Sequence, residues 1–367
     1  MVVKGVLSVA RGSLLAYRVF DAGDMIALEV AEKLVPSAKR VELGGPLAEG
    51  LVIAVPALEI ALSPCELAVP GVERPLHAQV SARIFHFGVV SVCYEVPIEP
   101  DTPLAELVPV CDAIYDSPVI DERGAQHLDE IVAKLASSIE KPHAWRGAES
   151  YTIVFVQELG RSSSVEALMQ SETTAKLLLG ETSAKPLSTA TRQDVLRNAF
   201  SYLAEDLVVL DWNSALVVEP SGSRLVPHVL ELATCQLLEF RYYDGLLDRE
   251  LARLYGYVET APRIFKSPFG ALTRHVLRSF MELTECTERV DNAIKSVGDF
   301  YLARVYLAAI DRFRVPQWRE SVEAKLGLVG RAYELLKGEV EVSRGQLLEL
   351  TIVVLILAEL VAAFERH

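Results

Sequence analysis

From residue 226 onward, apolar side chains recur at alternating spacings of four and three, in four separate runs. The first is Val226, Leu230, Ala233, Leu237, Phe240, Asp244, Leu247, Leu251 and Leu254, apolar everywhere but at Asp244. The second is Val276, Phe280, Leu283, Thr287, Val290, Ile294 and Val297, and the third is Val322, Leu326, Val329, Tyr333, Leu336 and Val340. The fourth is Leu347, Leu350, Val354, Leu357, Val361 and Phe364. This period belongs to helices that bury one stripe against other helices. A Leu-rich chain can carry one such seam by chance. Four in succession, absent from the N-terminal half, predict long helices with short connections, packed as antiparallel neighbours. A shorter helix, FYLARVYLAAIDRF, falls between the second and third seams and is stopped by Pro316.

The fourth run differs from the others. Glu349 and Glu359 lie away from the seam, toward the outward face, but Ile352, Leu355 and Ile356 occupy that face between them. The middle turns are therefore apolar all round, and something must cover them. Twelve strongly apolar residues favour bilayer insertion by about 6 kcal/mol, at roughly 0.5 kcal/mol each. Two glutamates at roughly 2.5–3.5 kcal/mol each cancel nearly all of this if both lie deep. Two coverings remain open: lipid, or helices of this chain and its sister subunits. The balance leans to membrane association, because no polar stripe runs the length of the helix. Leu347, Leu350, Ile352, Val354, Leu355, Ile356, Leu357, Val361 and Phe364 would make the contact in either case.

The first two hundred residues read as mixed α and β. VVKGVLSVA and SLLAYRVF look like two strands separated at Arg11-Gly12, and DMIALEVAEKLV like an early helix capped at Asp24. QVSARIFHFGVVSVCYEVPI has the alternation of a β-hairpin turning at Gly88. TPLAELVPVCDAIYDS and DERGAQHLDEIVAKLASSI have helical spacing, and SYTIVFVQEL is the clearest single strand. A polar stretch from Arg161 to Arg192 reads as loop and short helices. DLVVLDWNSALVVEP reads as a hairpin at the end of the sheet, with Trp212 packed beneath its turn. Ser223 then caps the first long helix, with Pro227 in its first turn. The expected fold is α+β: a mixed α/β domain with a largely antiparallel sheet over 1–220, then a coiled-coil-like domain of long antiparallel helices over 221–367.

The 367 residues carry a net charge of −14 and no run of Lys or Arg longer than a pair. That balance argues against a phosphate-backbone binder, so no nucleic acid is expected as a partner. Five cysteines (Cys65, Cys93, Cys111, Cys235 and Cys286), with no C-x-x-C, fit buried free thiols in a reducing compartment. No secretory signal is read at the N-terminus. These features place the expected location in the cytoplasm, with the membrane's cytoplasmic face as the docking surface for the last helix.

Several stretches are similar to a known family. IFHFGVVSVCYEVP resembles the paired-strand motif of the required-for-meiotic-nuclear-division family, also called the Sad1-interacting factor family, with Cys93 and Tyr94 where aromatics are usual. QLLELTIVVLILAEL resembles that family's ending through Leu348, Glu349, Ile352, Leu355, Ile356 and Glu359, with Leu350 in place of a tryptophan. DFYLARVYLAAIDRF and the Pro316-x-Trp318 turn resemble the helices before it. The resemblance covers parts of 80–364. It implies an α/β domain followed by a helical domain ending in a hydrophobic helix, with roles supporting translation, sporulation or nuclear division. It implies no catalytic residues.

No cluster points firmly to chemistry. His127-x-x-Glu130 and His228-x-x-Glu231 each place imidazole and carboxylate one helical turn apart, but in the order opposite to dinuclear carboxylate sites. Ordinary surface or capping contacts are the simpler expectation. Gly44–Gly50 lacks the Lys and Ser or Thr of a phosphate loop, and Ser162–Ser164 lies in no nucleophile elbow. Asp244, in the first seam, can fix register, or can sit in water where the helix loses its partner at Gly245; the second is simpler. No cofactor, metal or catalytic residue is expected. An architectural likeness to CorA-type magnesium channels lacks their Gly-Met-Asn motif. The expected function is a homo-oligomeric, non-enzymatic scaffold, membrane-associated through its last helix. The alternative is a soluble regulatory or binding protein with that helix buried in the oligomer. A metal-dependent enzyme ranks below both.

Overall fold

A computed structural model describes residues 6–43, 53–145, 147–260, 281 and 301–331. They divide into two compact units, one comprising 1–240 with 282–316 and the other 241–281 with 317–367. The α+β class read from the sequence is what the described residues form.

The first unit is built on one sheet, which holds ten strands among the described residues, in the order β10-β11-β12-β9-β1-β6-β5-β4-β3 with β7 paired beside β1. The centre is β1 (Ser8–Asp21), flanked by β6 (Val89–Ile98) and β9 (Ala148–Leu159). Outward from β6 come β5 (Leu76–Phe85), β4 (Ile53–Leu67) and β3 (Lys39–Leu43). On the other side lie β12 (Ser214–Val218), β11 (Leu207–Leu210) and β10 (Ala199–Phe200), while β7 is Thr102–Pro103. All pairings in this sheet are antiparallel except β12 with β9. A separate two-stranded ribbon pairs β2 (Gly23–Ile26) with β8 (Ile139–Pro142).

The expected hairpin at Gly88 is β5–β6, and the expected hairpin at 211–213 is β11–β12. Two readings are corrected. Arg11-Gly12 does not separate two strands: β1 runs through it with a bulge against β9. Gly12 is required there because a Cβ would lie 2.5 Å from the Phe155 carbonyl oxygen. Asp24 caps no helix: it lies in β2, and α1 (Leu28–Leu34) begins after Ala27.

Both sheet faces are covered. On one face Leu14, Ala16, Phe20, Val80, Val92, Tyr94 and Val154 join the buried core with Leu107, Cys111, Ile114, Leu128 and Leu177. The last five belong to α2 (Leu104–Tyr115), α3 (Pro118–Leu135) and α5 (Glu172–Leu179). The short α4 (Val165–Gln170) and α6 (Thr189–Leu196) complete this layer. Burial of such a core is the main term holding the layers together. Arg18 points into the same face and is fully buried. It donates to the Ile114 carbonyl at 3.0 Å, where α2 ends, and to the Asp121 carboxylate in the first turn of α3. A cation at one helix's C-terminus and a carboxylate at the next one's N-terminus each oppose the local dipole.

The other face carries Ser13, Leu15, Tyr17, Arg83, Cys93, Glu95, Tyr151 and Phe155, alternating with the first set as the pleat requires. Its covering helices are the first part of α7 (Leu225–Thr260) and α8 (Tyr301–Arg312). Phe313, just after α8, meets the Tyr151 ring edge-on at 5.1 Å. Residues 229–240 of α7 are buried at every position, Glu231, Thr234, Gln236 and Glu239 included. The seam residues Val226, Leu230, Leu237 and Phe240 are thus part of a helix enclosed on all sides.

In the second unit, α7 continues with Leu247 buried and Leu251 half-buried, and Leu254 lies in its backbone. Asp244 is not left in water. Its carboxylate accepts from Ser321 at 2.7 Å and pairs with Lys325 at 2.8 Å; Lys325 also reaches Asp248 at 2.6 Å. The Arg241 guanidinium lies 5.8 Å from the Trp318 ring. Contacts 241–318, 244–321 and 248–325 step forward together, so these two helices run parallel. Val322 and Val329 of the third seam are buried. The second seam, Tyr333, Leu336 and Val340 of the third, and the whole C-terminal run 347–364 lie outside the described residues.

Candidate functional site

The densest polar arrangement of the first unit lies between β5 and α7. Alternation along QVSARIF puts Arg83 on the face that α7 covers. Its guanidinium donates to Glu59 on β4 at 2.7 and 2.9 Å and to Glu231 on α7 at 2.5 Å. It also donates to His228 Nε2 at 2.6 Å, so the ring accepts there. Burial, then the charges of Arg83 and Arg224, push the His228 imidazole down to about 3, so it stays neutral. Burial, the largest single influence, would lower the Arg83 guanidinium, but Glu231, Tyr17 and Glu59 together outweigh it and raise it. Tyr17 and Cys93 lie beside the cluster, and burial raises both well above their usual ranges. A neighbouring link has Arg224 donate to Glu95 at 2.5 Å while its guanidinium sits 4.2 Å from the Phe155 ring; Ser13 also donates to Glu95.

His228-x-x-Glu231 is therefore neither a surface pair nor a metal arm. It is the helix side of a four-residue cluster centred on an arginine 145 residues away in sequence. His127 is buried too, and its Nδ1 shares a hydrogen bond of 2.8 Å with the Tyr94 hydroxyl. Burial and the Arg123 charge lower its imidazole.

A second cluster lies where β1 ends. His143 donates from Nδ1 to Asp21 at 2.6 Å and from Nε2 to Asp24 at 2.8 Å, and Lys141 also holds Asp24 at 2.8 Å. Burial alone would lower the imidazole, but the bonds to Asp21 and Asp24 outweigh it and raise it to about 9. Burial pulls Asp21 upward, while His143 pulls it down. With one carboxylate on each ring nitrogen, the geometry favours an imidazolium between two carboxylates. Glu239 of α7 is buried nearby, and burial, then the charges of Asp21 and Asp24, raise its carboxyl well above the usual carboxylate range.

The His143 cluster has a pH signature. The folded value of about 9 lies above the unfolded value of about 6.5, so this stability is fully present below pH ~6.5 and is lost as pH rises through 9. We expect the unfolding free energy to fall by about 2–3 kcal/mol between pH 6.5 and 9.5. The His143→Gln variant should show a flatter profile over that window in urea titrations. A wild-type profile as flat as the variant's would remove the imidazolium assignment.

Among the described residues, no three His, Cys, Asp or Glu groups are placed to hold a metal ion. Sequence reasoning missed Arg83, Arg18 and His143. Arg18 had a signal, since it is the lone charge in the apolar run LLAYRVF. Arg83 had none, because a strand covered on both faces looks locally like one facing water.

The fold and these clusters define an α+β domain with a sheet between two helical layers, the layers tied to the sheet by buried ionic groups. The chain belongs to the family described as "Uncharacterized protein MJ0711, N-terminal domain", whose model matches residues 11–224, more than half its length. It is 24% identical over 239 residues to "Uncharacterized protein MJ0711" of Methanocaldococcus jannaschii, covering 65% of this chain and 73% of that protein. No solved structure matches it. The likeness to the required-for-meiotic-nuclear-division family is overturned by this match. Its motifs were apolar runs: IFHFGVVSVCYEVP is the near-continuous apolar stretch that a hairpin covered on both faces requires.

Proposed function

We propose that this chain is a non-enzymatic assembly protein: a homo-oligomer whose α+β unit is a rigid platform and whose C-terminal segment docks on the cytoplasmic face of a membrane. The observation that supports it most directly is how the chemically capable side chains are engaged. Arg83, His228, Glu231 and Glu59 bond to one another between sheet and helix, and His143 does the same with Asp21 and Asp24. Groups so paired are positioned to lock layers together. The helical part is read as a coiled-coil-like bundle, with Asp244–Lys325 fixing register between its first and third helices. Membrane docking is supported by the sequence of 347–364, which leaves no polar side over its middle turns.

Among the described residues no helix is long and apolar enough to cross a membrane; 347–364 is not among them. Glu349 and Glu359 favour a second reading, in which that helix is covered by sister subunits and the protein is a soluble regulatory assembly. The two part on one measurement. After lysis without detergent, the full chain should pellet with membranes at high speed, and a chain lacking 343–367 should not. Full-length protein that stays in the supernatant as an oligomer would establish the second reading instead.

A further inference from the structure

We propose that the edge of the α+β unit formed by α8 and β10–β12 is a contact surface for a second copy of this chain, received on that copy's acidic α2–α3 face. This rests on the self-assembly reading above and names the surfaces that would meet.

The edge has the composition of an interface centre. Tyr202, Leu203, Trp212 and Leu307 are 60%, 63%, 47% and 52% exposed. The Trp212 ring is thus on the surface, not beneath its turn as the sequence suggested. Contacts run along α8 in order: Tyr301 meets Tyr202 at 6.0 Å, Arg304 lies 5.6 Å from the Phe200 ring, Arg312 holds Asp211, and Arg314 lies 5.9 Å from the Trp212 ring. Twelve helical residues span about 18 Å, so this is a continuous row. Tyr, Trp and Arg dominate the centres of protein contacts.

Two of the cations are available. Arg304 and Arg314 are exposed, and neither has a carboxylate partner among the described residues. In a chain with 50 acidic and 36 basic residues, that is unusual. Arg314 also holds a left-handed backbone, φ 57°, which disfavours a side chain of this kind; the conformation carries its guanidinium to Trp212.

The complementary surface is on the same unit. Residues 99–130 contain nine carboxylates against one arginine, a net −8 of the chain's −14. Glu106, Asp112, Asp116 and Glu122 on and beside α2 and α3 are exposed, with no ion partner among the described residues. Residues 301–316 carry three arginines against one aspartate. Two opposite patches on different elements make a head-to-tail contact, which closes into a ring or extends. A nucleic-acid strand would also suit aromatics and arginines, but the net −14 opposes its approach.

The test uses the full chain, 40.3 kDa, sized by light scattering in low salt. Wild type should exceed one chain. Arg304→Glu/Arg314→Glu and Asp112→Lys/Asp116→Lys should each give a smaller assembly with an unchanged unfolding midpoint. Mixing the two variants should restore a larger species, because one intact contact remains between them. An oligomer unchanged in both variants would overturn this surface and leave self-assembly standing. A wild-type monomer would end both. Retention of single-stranded RNA by wild type, lost in the arginine variant with no change in mass, would also overturn it.

Discussion

Arg83→Met should cost the α+β unit about 3–5 kcal/mol, the range found when one member of a buried ion pair is removed. Glu231 is almost wholly buried, and the substitution takes away the only cation within hydrogen-bonding distance of it among the described residues. Glu59 is partly exposed and can regain water, so its share of the loss is small. His228 loses the donor at Nε2 but is already neutral. The expected result is a midpoint lower by about 8–15 °C, read by thermal unfolding of the full chain.

The pairing argument has a second arm. Arg83→Met/Glu231→Gln removes both buried charges and leaves only the partly exposed Glu59 carboxylate, so it should recover a substantial part of the loss. A double variant no better than Arg83→Met alone would show that Arg83 acts through packing of its stem, not through charge. A single-variant loss below about 1 kcal/mol would show that water reaches Glu231, and the cluster would then not lock α7 to the sheet.

This cluster also marks where sequence reading stops. The hairpins at Gly88 and at 211–213 were legible because period-two alternation and turn residues are local. That Val226, Leu230 and Leu237 lie buried in one long helix was legible because helical spacing is local too. Its full enclosure was not. Glu231, Gln236 and Glu239 look like a solvated face, and only partners far along the chain, Arg83 for Glu231 and Tyr306 for Gln236, show otherwise. Asp244 was misjudged for the same reason, since Lys325 is 81 residues away. Arg11-Gly12 was misjudged differently: glycine suggests a turn, but here it admits the Phe155 carbonyl beside a bulge. Composition hid the rest. A net charge for the whole chain says nothing of how −8 gathers over 99–130 while arginines gather on α8.

Gly88→Ala should be the most damaging single-atom-scale change in the unit. Gly88 has φ +90°, and a Cβ there would fall 1.7 Å from the Gly23 carbonyl oxygen, which is backbone and cannot rotate aside. Three segments meet at this point. The Gly88 carbonyl accepts from Ala22 at 2.9 Å, the His86 carbonyl accepts from Ile26 at 2.9 Å, and a Cβ on Gly23 would itself strike Ile139 and Glu140 of β8. Positive φ costs an alanine roughly 1–2 kcal/mol, and forced backbone displacement in a packed site adds roughly 1–3. The expected loss is about 3–5 kcal/mol, read as a shifted urea midpoint. The displacement has a chemical consequence as well, because Asp21 and Asp24 flank the same glycine and hold His143. Pushing β2 away from the 86–88 turn lengthens those bonds, so the stability lost between pH 6.5 and 9.5 should shrink in Gly88→Ala. A variant that keeps the wild-type pH slope while losing stability would mean that β2 and β8 move as one body and carry the imidazolium with them.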